Sequence, residues 1–270
     1  MVRDIVSGLM GGSGIVLDDA THVYTRISDG RVFDSVSVVY GNYVDKFDGE
    51  AISGAMAIKE MKVSGGNFQD IKSRIQGDWD KIMVSSQEYG TGLHLQLENK
   101  GKMLGGYSDG ISELYDSIIN FLGGGKRWFH EVILHSEEHG IAGMTDICRI
   151  RYEKSKEVVF DIFDYKTNNR NGIEFSSSKL KDGDIRHYNK WMKEPVAHLE
   201  DCNYNIYAMK LSTYGYMAEL TYGVKIGMLG LFFLREVSEG KYVSDYYPIP
   251  YMKNDVKSLM NDYLSKKIRL

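Results

Sequence analysis

The sequence predicts an α/β protein: a central mixed sheet flanked by helices, preceded by an N-terminal hairpin and a helical extension. Three observations predict it. Residues 129–135, 141–152 and 157–166 form three strand-like segments in succession, parted by polar turns at 136–140 and 153–156. A helical pattern at 109–122 precedes them and stops at Gly123-Gly124-Gly125. A long aromatic helix at 204–222 follows them, and then a strongly apolar strand at 225–237. Helix, antiparallel strands, helix, strand is the order of a sheet with a helix on either side.

The remaining elements follow along the chain. Residues 1–20 are Gly-rich and weakly patterned. Residues 21–27 alternate as a strand, Ser28-Asp29-Gly30 is a turn, and 31–39 read as the hairpin partner. Helical patterns cover 51–61 and 68–77. Residues 80–100 read as a further helix that contains Gly90 and Gly92. Each glycine inside a helix costs about 1 kcal/mol relative to alanine, so a close approach to the backbone is expected there. In that helix His94 and Glu98 stand at i and i+4, on one face. Residues 168–183 are a polar loop, and 253–264 a terminal helix. There is no internal repeat. The division expected is an extension over 1–80 and a core over 81–270.

Composition narrows the function classes. A chain of 270 residues with 43% hydrophobic content can bury a sizeable core. The net charge of −4 and pI near 6.0 give no global basic footprint, so any nucleic-acid contact is a local one. Cys148 and Cys202 make no disulfide framework and suggest a reducing compartment. Two cysteines are too few for an iron–sulfur cluster with four cysteine ligands from one chain. Residues 226–234 are the longest concentrated apolar stretch and are too short to span a membrane. The start of the chain has neither a secretory nor a transit pattern. A cytoplasmic protein with no membrane partner is the expectation.

Candidate chemistry centres on Asp164-Tyr165-Lys166. This triplet ends the apolar run Val158-Val159-Phe160-Asp161-Ile162-Phe163 and follows another acid, Asp146, in Gly143-Met144-Thr145-Asp146. Alternation along a strand sends Asp164 and Lys166 to one face and Tyr165 to the other. Two carboxylates and a lysine at a sheet edge can hold a hard divalent cation and set a water against a phosphodiester. The acid-x-Lys pattern alone says little. With 37 acids and 33 bases, about four to five copies arise by chance. Five others occur, at Glu60, Asp70, Glu98, Glu239 and Asp255, and none of them ends a β-rich run.

The ordered set resembles a known family. Gly90-Thr91-Gly92-Leu93-His94 with Glu98, then Glu131, Asp146, Asp164-Tyr165-Lys166, and Tyr207 with Tyr214, resemble the PD-(D/E)XK nuclease superfamily, in its RecB-type exonuclease branch. The N-terminal His22-Val23-Tyr24, Asp29-Gly30 and Ser35-Val36-Ser37 are similar to the entry segment of phage and mitochondrial genome-maintenance exonucleases. The likeness covers about residues 20–235. It implies a restriction-endonuclease-like core and a Mg²⁺-dependent deoxyribonuclease, with Mn²⁺ able to substitute. Such an enzyme, phage or bacterial, would act on single-stranded DNA or DNA with free ends, in recombination, repair or DNA processing, beside recombination or replication proteins.

Carried over by position, the resemblance makes Asp146 and Asp164 the metal-binding acids, with His94 and the Tyr165 carbonyl as further ligands. Lys166 positions the attacking water, and Glu131 supports the catalytic group. The branch has a glutamine four residues before the helix tyrosine. Here Lys210 stands there, four before Tyr214, and both become candidate DNA contacts. A DNA-binding accessory module and a metal-dependent endonuclease are the alternative readings. Read from the residues alone, Tyr207, Tyr214 and Tyr216 suit core packing more often than DNA stacking, and Lys210 suits a solvated charge as well as a phosphate contact. Arg149 and Arg151 either neutralise a DNA strand or face water. His130, His135 and His139 have no metal-ligand spacing.

Overall fold

The computed structural model describes residues 14–18, 20–125, 127–152, 157–167, 172–181, 184–186 and 188–268. The stretch before Gly14, the turn at 153–156 and parts of the loop at 168–183 lie outside them. The hairpin opens with β1 (Ile15–Asp18), β2 (Val23–Arg26) and β3 (Val32–Ser35). Three helices follow: α1 (Val36–Gly41), α2 (Gly49–Ser64) and α3 (Phe68–Gly101). Then come α4 (Asp109–Phe121), β4 (Trp128–Ser136), β5 (Ile141–Tyr152) and β6 (Val158–Lys166). The small strands β7 (Lys179–Lys181) and β8 (Asp184–Arg186) pair with each other. Last are α5 (Asn203–Tyr222), β9 (Lys225–Ser238), β10 (Lys241–Ile249) and α6 (Lys253–Ile268).

The central sheet is mixed and eight-stranded, in the order β1-β2-β3-β5-β6-β9-β10, with β4 also on β5. β5 runs antiparallel to β4 along one edge. Its other edge is shared: its start pairs in parallel with β3, and Ile147–Tyr152 pair antiparallel with β6. Helices cover both faces. Ile162, Leu229 and Leu231 pack with Met209 and Met217 of α5 and Leu259 of α6. Phe163, Tyr165 and Phe232 pack on the opposite face with Leu93 and Leu97 of α3 and Ile111 and Ile118 of α4. The expected sheet with helices on either side and an N-terminal hairpin is therefore present.

Two local expectations, on residues 31–39 and on the helices over 68–100, are corrected. Residues 31–39 are not one strand. The Ser35 hydroxyl accepts the Val38 N–H and starts α1, which buries Val36, Val39 and Tyr40. That i, i+3, i+4 spacing is helical. The two helices expected at 68–77 and 80–100 are one, α3, of 34 residues and about 50 Å. Gly77 does not break it, because Ile71 and Ile75 anchor one end and Leu93 and Leu97 the other. The expected division at residue 80 falls inside this helix. Beyond these, residues 241–249, unassigned from the sequence, form β10, which carries a proline, Pro248, near its end. The proline is tolerated because β10 is the sheet edge.

Candidate active site

The site forms where β5 and β6 part. Their ladder ends at Ile147 and Phe163, while β6 stays paired with β9 as far as Lys166. The Tyr165 N–H is left facing the gap, and the Asp146 carboxylate accepts it at 2.6 Å. On the other edge of β5 the ladder passes from His130–Ile147 to Val132–Thr145. Between these pairs, opposite Asp146, Glu131 sits at φ +52°. A left-handed backbone is costly for a non-glycine residue and persists where the surroundings enforce it.

A cavity of about 1060 Å³ opens over this gap. His94 and Glu98 line it from α3, Glu131, Asp146 and Lys166 from the sheet, and Tyr207 from α5. Leu17 and His22 of the hairpin close the opposite rim. His94 Nδ1 stands 3.4 Å from Asp146 Oδ1, and its ring meets Tyr165 edge-on at 5.8 Å. The Lys166 ammonium touches the Asp164 carboxylate, donates to the Tyr165 carbonyl at 3.1 Å, and lies 5.1 Å from the centre of the Tyr207 ring. The Tyr165 side chain turns to the other face, into the α3 and α4 core.

The charges pull against each other. Burial and the Asp146 charge push the Asp164 carboxyl above the usual range, although Lys166 is beside it. Burial would raise Asp146 too, but His94, Lys166 and the Tyr165 N–H hold it low. Burial lowers the His94 imidazole, and Asp146 more than offsets that. Burial, Asp146 and Glu98 push the Glu131 carboxyl well up. Such opposed shifts in one cleft make it the candidate functional site.

Among the described residues no group of three His, Cys, Asp or Glu side chains is gathered as a ready metal cage. The donors are paired among themselves: His94 with Asp146, and Lys166 with Asp164. In kind the set fits a hard divalent cation, since Asp146, Asp164 and the Tyr165 carbonyl offer oxygens and His94 a nitrogen.

His94, Glu131, Asp146, Tyr165 and Lys166 thus share one cavity, with Asp164 held against Lys166. Lys210 and Tyr214 do not border it. Lys210 donates to Ser37 at 3.2 Å, and burial and Lys166 lower its ammonium. The Tyr214 ring packs on Gly143, where a Cβ would come within 2.6 Å of it. Arg149 is largely buried, while Arg151 keeps 38% of its side chain exposed. Both converge on the fully buried Asp161 carboxylate, at 2.8 and 2.9 Å. Gly90 has the expected close neighbour, Thr167, but Gly92 faces open space. Tyr207, named in the ordered set but given no role there, borders the cavity in place of Tyr214. The signal for it was its place one turn before Lys210 on α5.

No family model matches the chain, and no curated protein matches it. A crystal structure of a protein from Eubacterium rectale, described as a candidate exonuclease, is similar at 12% identity, covering 88% of this chain and 79% of that one, with a TM-score of 0.33. That score carries no inference about activity. Among the described residues no helix is long and apolar enough to cross a membrane.

Proposed function

We propose that the chain is a metal-dependent deoxyribonuclease of RecB type that hydrolyses phosphodiester bonds. One observation carries the reading: Asp146, Asp164 and Lys166 meet where β5 and β6 part, with His94 3.4 Å from Asp146. His94, Asp146, Asp164 and the Tyr165 carbonyl would hold Mg²⁺ or Mn²⁺. A bound divalent ion supplies Lewis acidity toward the phosphate and a more acidic water. Lys166 would then leave Asp164 and donate to the phosphate, stabilising the negative charge that develops there. The Tyr207 ring keeps its ammonium over the cavity. Glu98 adds negative charge to the wall, and a bound cation would favour the ionised form of the Glu131 carboxyl, which is otherwise pushed up to about 8. A DNA processing or repair role, on single-stranded DNA or free ends, belongs to the same proposal.

The alternative is a DNA-binding module without catalysis, which the intact Asp146, Asp164 and Lys166 disfavour. End-labelled linear DNA incubated with the protein in Mg²⁺, in Mn²⁺ and in EDTA separates them. Cleavage in either metal, lost in EDTA and in Asp164→Ala, is the expected result. Cleavage that survives both changes defeats the metal-nuclease proposal. Binding without cleavage in every metal favours the module.

A further inference from the structure

A second cavity, of about 880 Å³, adjoins the first and shares Ser86 and Thr167 with it. Thr167 directly follows Lys166, so this space begins beside the proposed reaction centre. Its volume suits a small organic group rather than a protein segment. Its walls differ in chemistry from those of the first cavity. Ile82, Ser85 and Tyr89 of α3 form one side, and Arg235 and Glu236 of β9 the other. Asp146, Asp164 and Lys166 do not border it.

The charges on the β9 side are already committed. Arg235 is held by Asp245 at 2.7 Å, and Glu236 accepts the Gly240 N–H at 2.8 Å. Asp245 offsets Arg235 and a carboxylate, Glu236, borders the cavity, which is therefore poorly suited to a phosphate. Its α3 wall is apolar and aromatic yet open to solvent: Ile82 is 64% and Tyr89 41% exposed. A neutral, flat, polar-edged group that can stack on a tyrosine matches that wall, with the Ser85, Ser86 and Thr167 hydroxyls available to its edge.

We propose that this second cavity is a base-binding subsite, which takes an unpaired nucleobase of the substrate strand next to the phosphodiester at Lys166. The proposal rests on the nuclease reading above and narrows its substrate. A base within a duplex is stacked and paired and cannot enter a side cavity without being extruded. The substrate is then single-stranded at that nucleotide.

The test uses fluorescence anisotropy in EDTA, so that binding is read apart from cleavage. The probes are a labelled oligothymidylate and a blunt duplex of equal length. Tyr89→Ala is expected to weaken oligothymidylate binding about tenfold, as loss of one base–aromatic stack does. Tyr89→Phe, which keeps the ring, should bind as the unaltered chain does, and duplex binding should not respond to either change. Unchanged oligothymidylate binding by Tyr89→Ala, or an equal loss on duplex, overturns the subsite and leaves the nuclease reading intact. If the unaltered chain binds neither DNA and cleaves neither in Mg²⁺ or Mn²⁺, both fall together.

Discussion

Asp146 accepts the backbone N–H of Tyr165 at 2.6 Å, across the gap where β5 and β6 cease to pair. One carboxylate thus does two things: it finishes the backbone hydrogen bonding of β6 and contributes charge to the cavity. The two roles can be separated. Asp146→Asn keeps an oxygen acceptor and removes the charge. Asp146→Ala removes both and strands a backbone donor, which costs about 1–3 kcal/mol. Chemical denaturation should find Asp146→Ala less stable than Asp146→Asn by that margin, while both lose Mn²⁺ binding by titration calorimetry. Equal stability of the two would show that the N–H does not depend on this carboxylate.

Lys166 competes with any cation for Asp164, because its ammonium already touches that carboxylate. Lys166→Ala should therefore leave Mn²⁺ affinity unchanged or tighter. Turnover should fall by about 10²–10³, the usual effect of losing one donor to a developing charge. Titration calorimetry and single-turnover cleavage check the two halves. Weakened Mn²⁺ binding with unaltered turnover would place the lysine among the metal's supports and not on the substrate.

Much of this arrangement was legible in the sequence, because it depends on alternation and local spacing. The three strands from Trp128 to Lys166, the long helix α5 and the opposed directions of Asp164 and Tyr165 follow from periods that side chains must obey. What was not legible depends on contacts between distant segments. Asp161 looks like any acid in an apolar run. Its burial makes sense only once Arg149 and Arg151 from β5 and the Met228 N–H from β9 converge on it. Gly227 permits this, since a Cβ there would lie 2.1 Å from Asp161 Oδ1. The hairpin rim at Leu17 and His22 was hidden for the same reason, as was the packing of Tyr214 on Gly143.

Glu131 offers a test of backbone strain that no sequence pattern announces. Its φ of +52° lies opposite Asp146 on the cavity wall. Glu131→Ala and Glu131→Gly both remove the carboxyl, so their difference reads the backbone alone. Glycine adopts this conformation freely, whereas alanine pays about 1–2 kcal/mol. Thermal or urea unfolding should therefore show Glu131→Gly to be the more stable by about 1 kcal/mol. Cleavage should be impaired in both. A more stable alanine variant would mean that the left-handed conformation relaxes when the carboxyl is removed.

His130 supplies a pH dependence with a defined sign. Its ring is buried, hydrogen-bonds the Tyr115 hydroxyl at 3.0 Å and lies against the backbone of Gly101. Burial, with Lys102 nearby, lowers its pKa from 6.5 to about 4. Above the unfolded value the ring is neutral in both states and this group adds no slope. Between that value and about 4 the unfolded chain takes up a proton that the folded chain refuses, so stability falls as pH falls. The full loss is on the order of 3 kcal/mol, at about 1.4 kcal/mol per unit. His130→Asn cannot take up that proton. It should be less stable at neutral pH, for want of packing and the Tyr115 contact, yet lose less on acidification. Urea unfolding of both proteins at several pH values across that window measures the difference in slope. Parallel slopes would assign the acid sensitivity to other groups and leave His130 with a packing role alone.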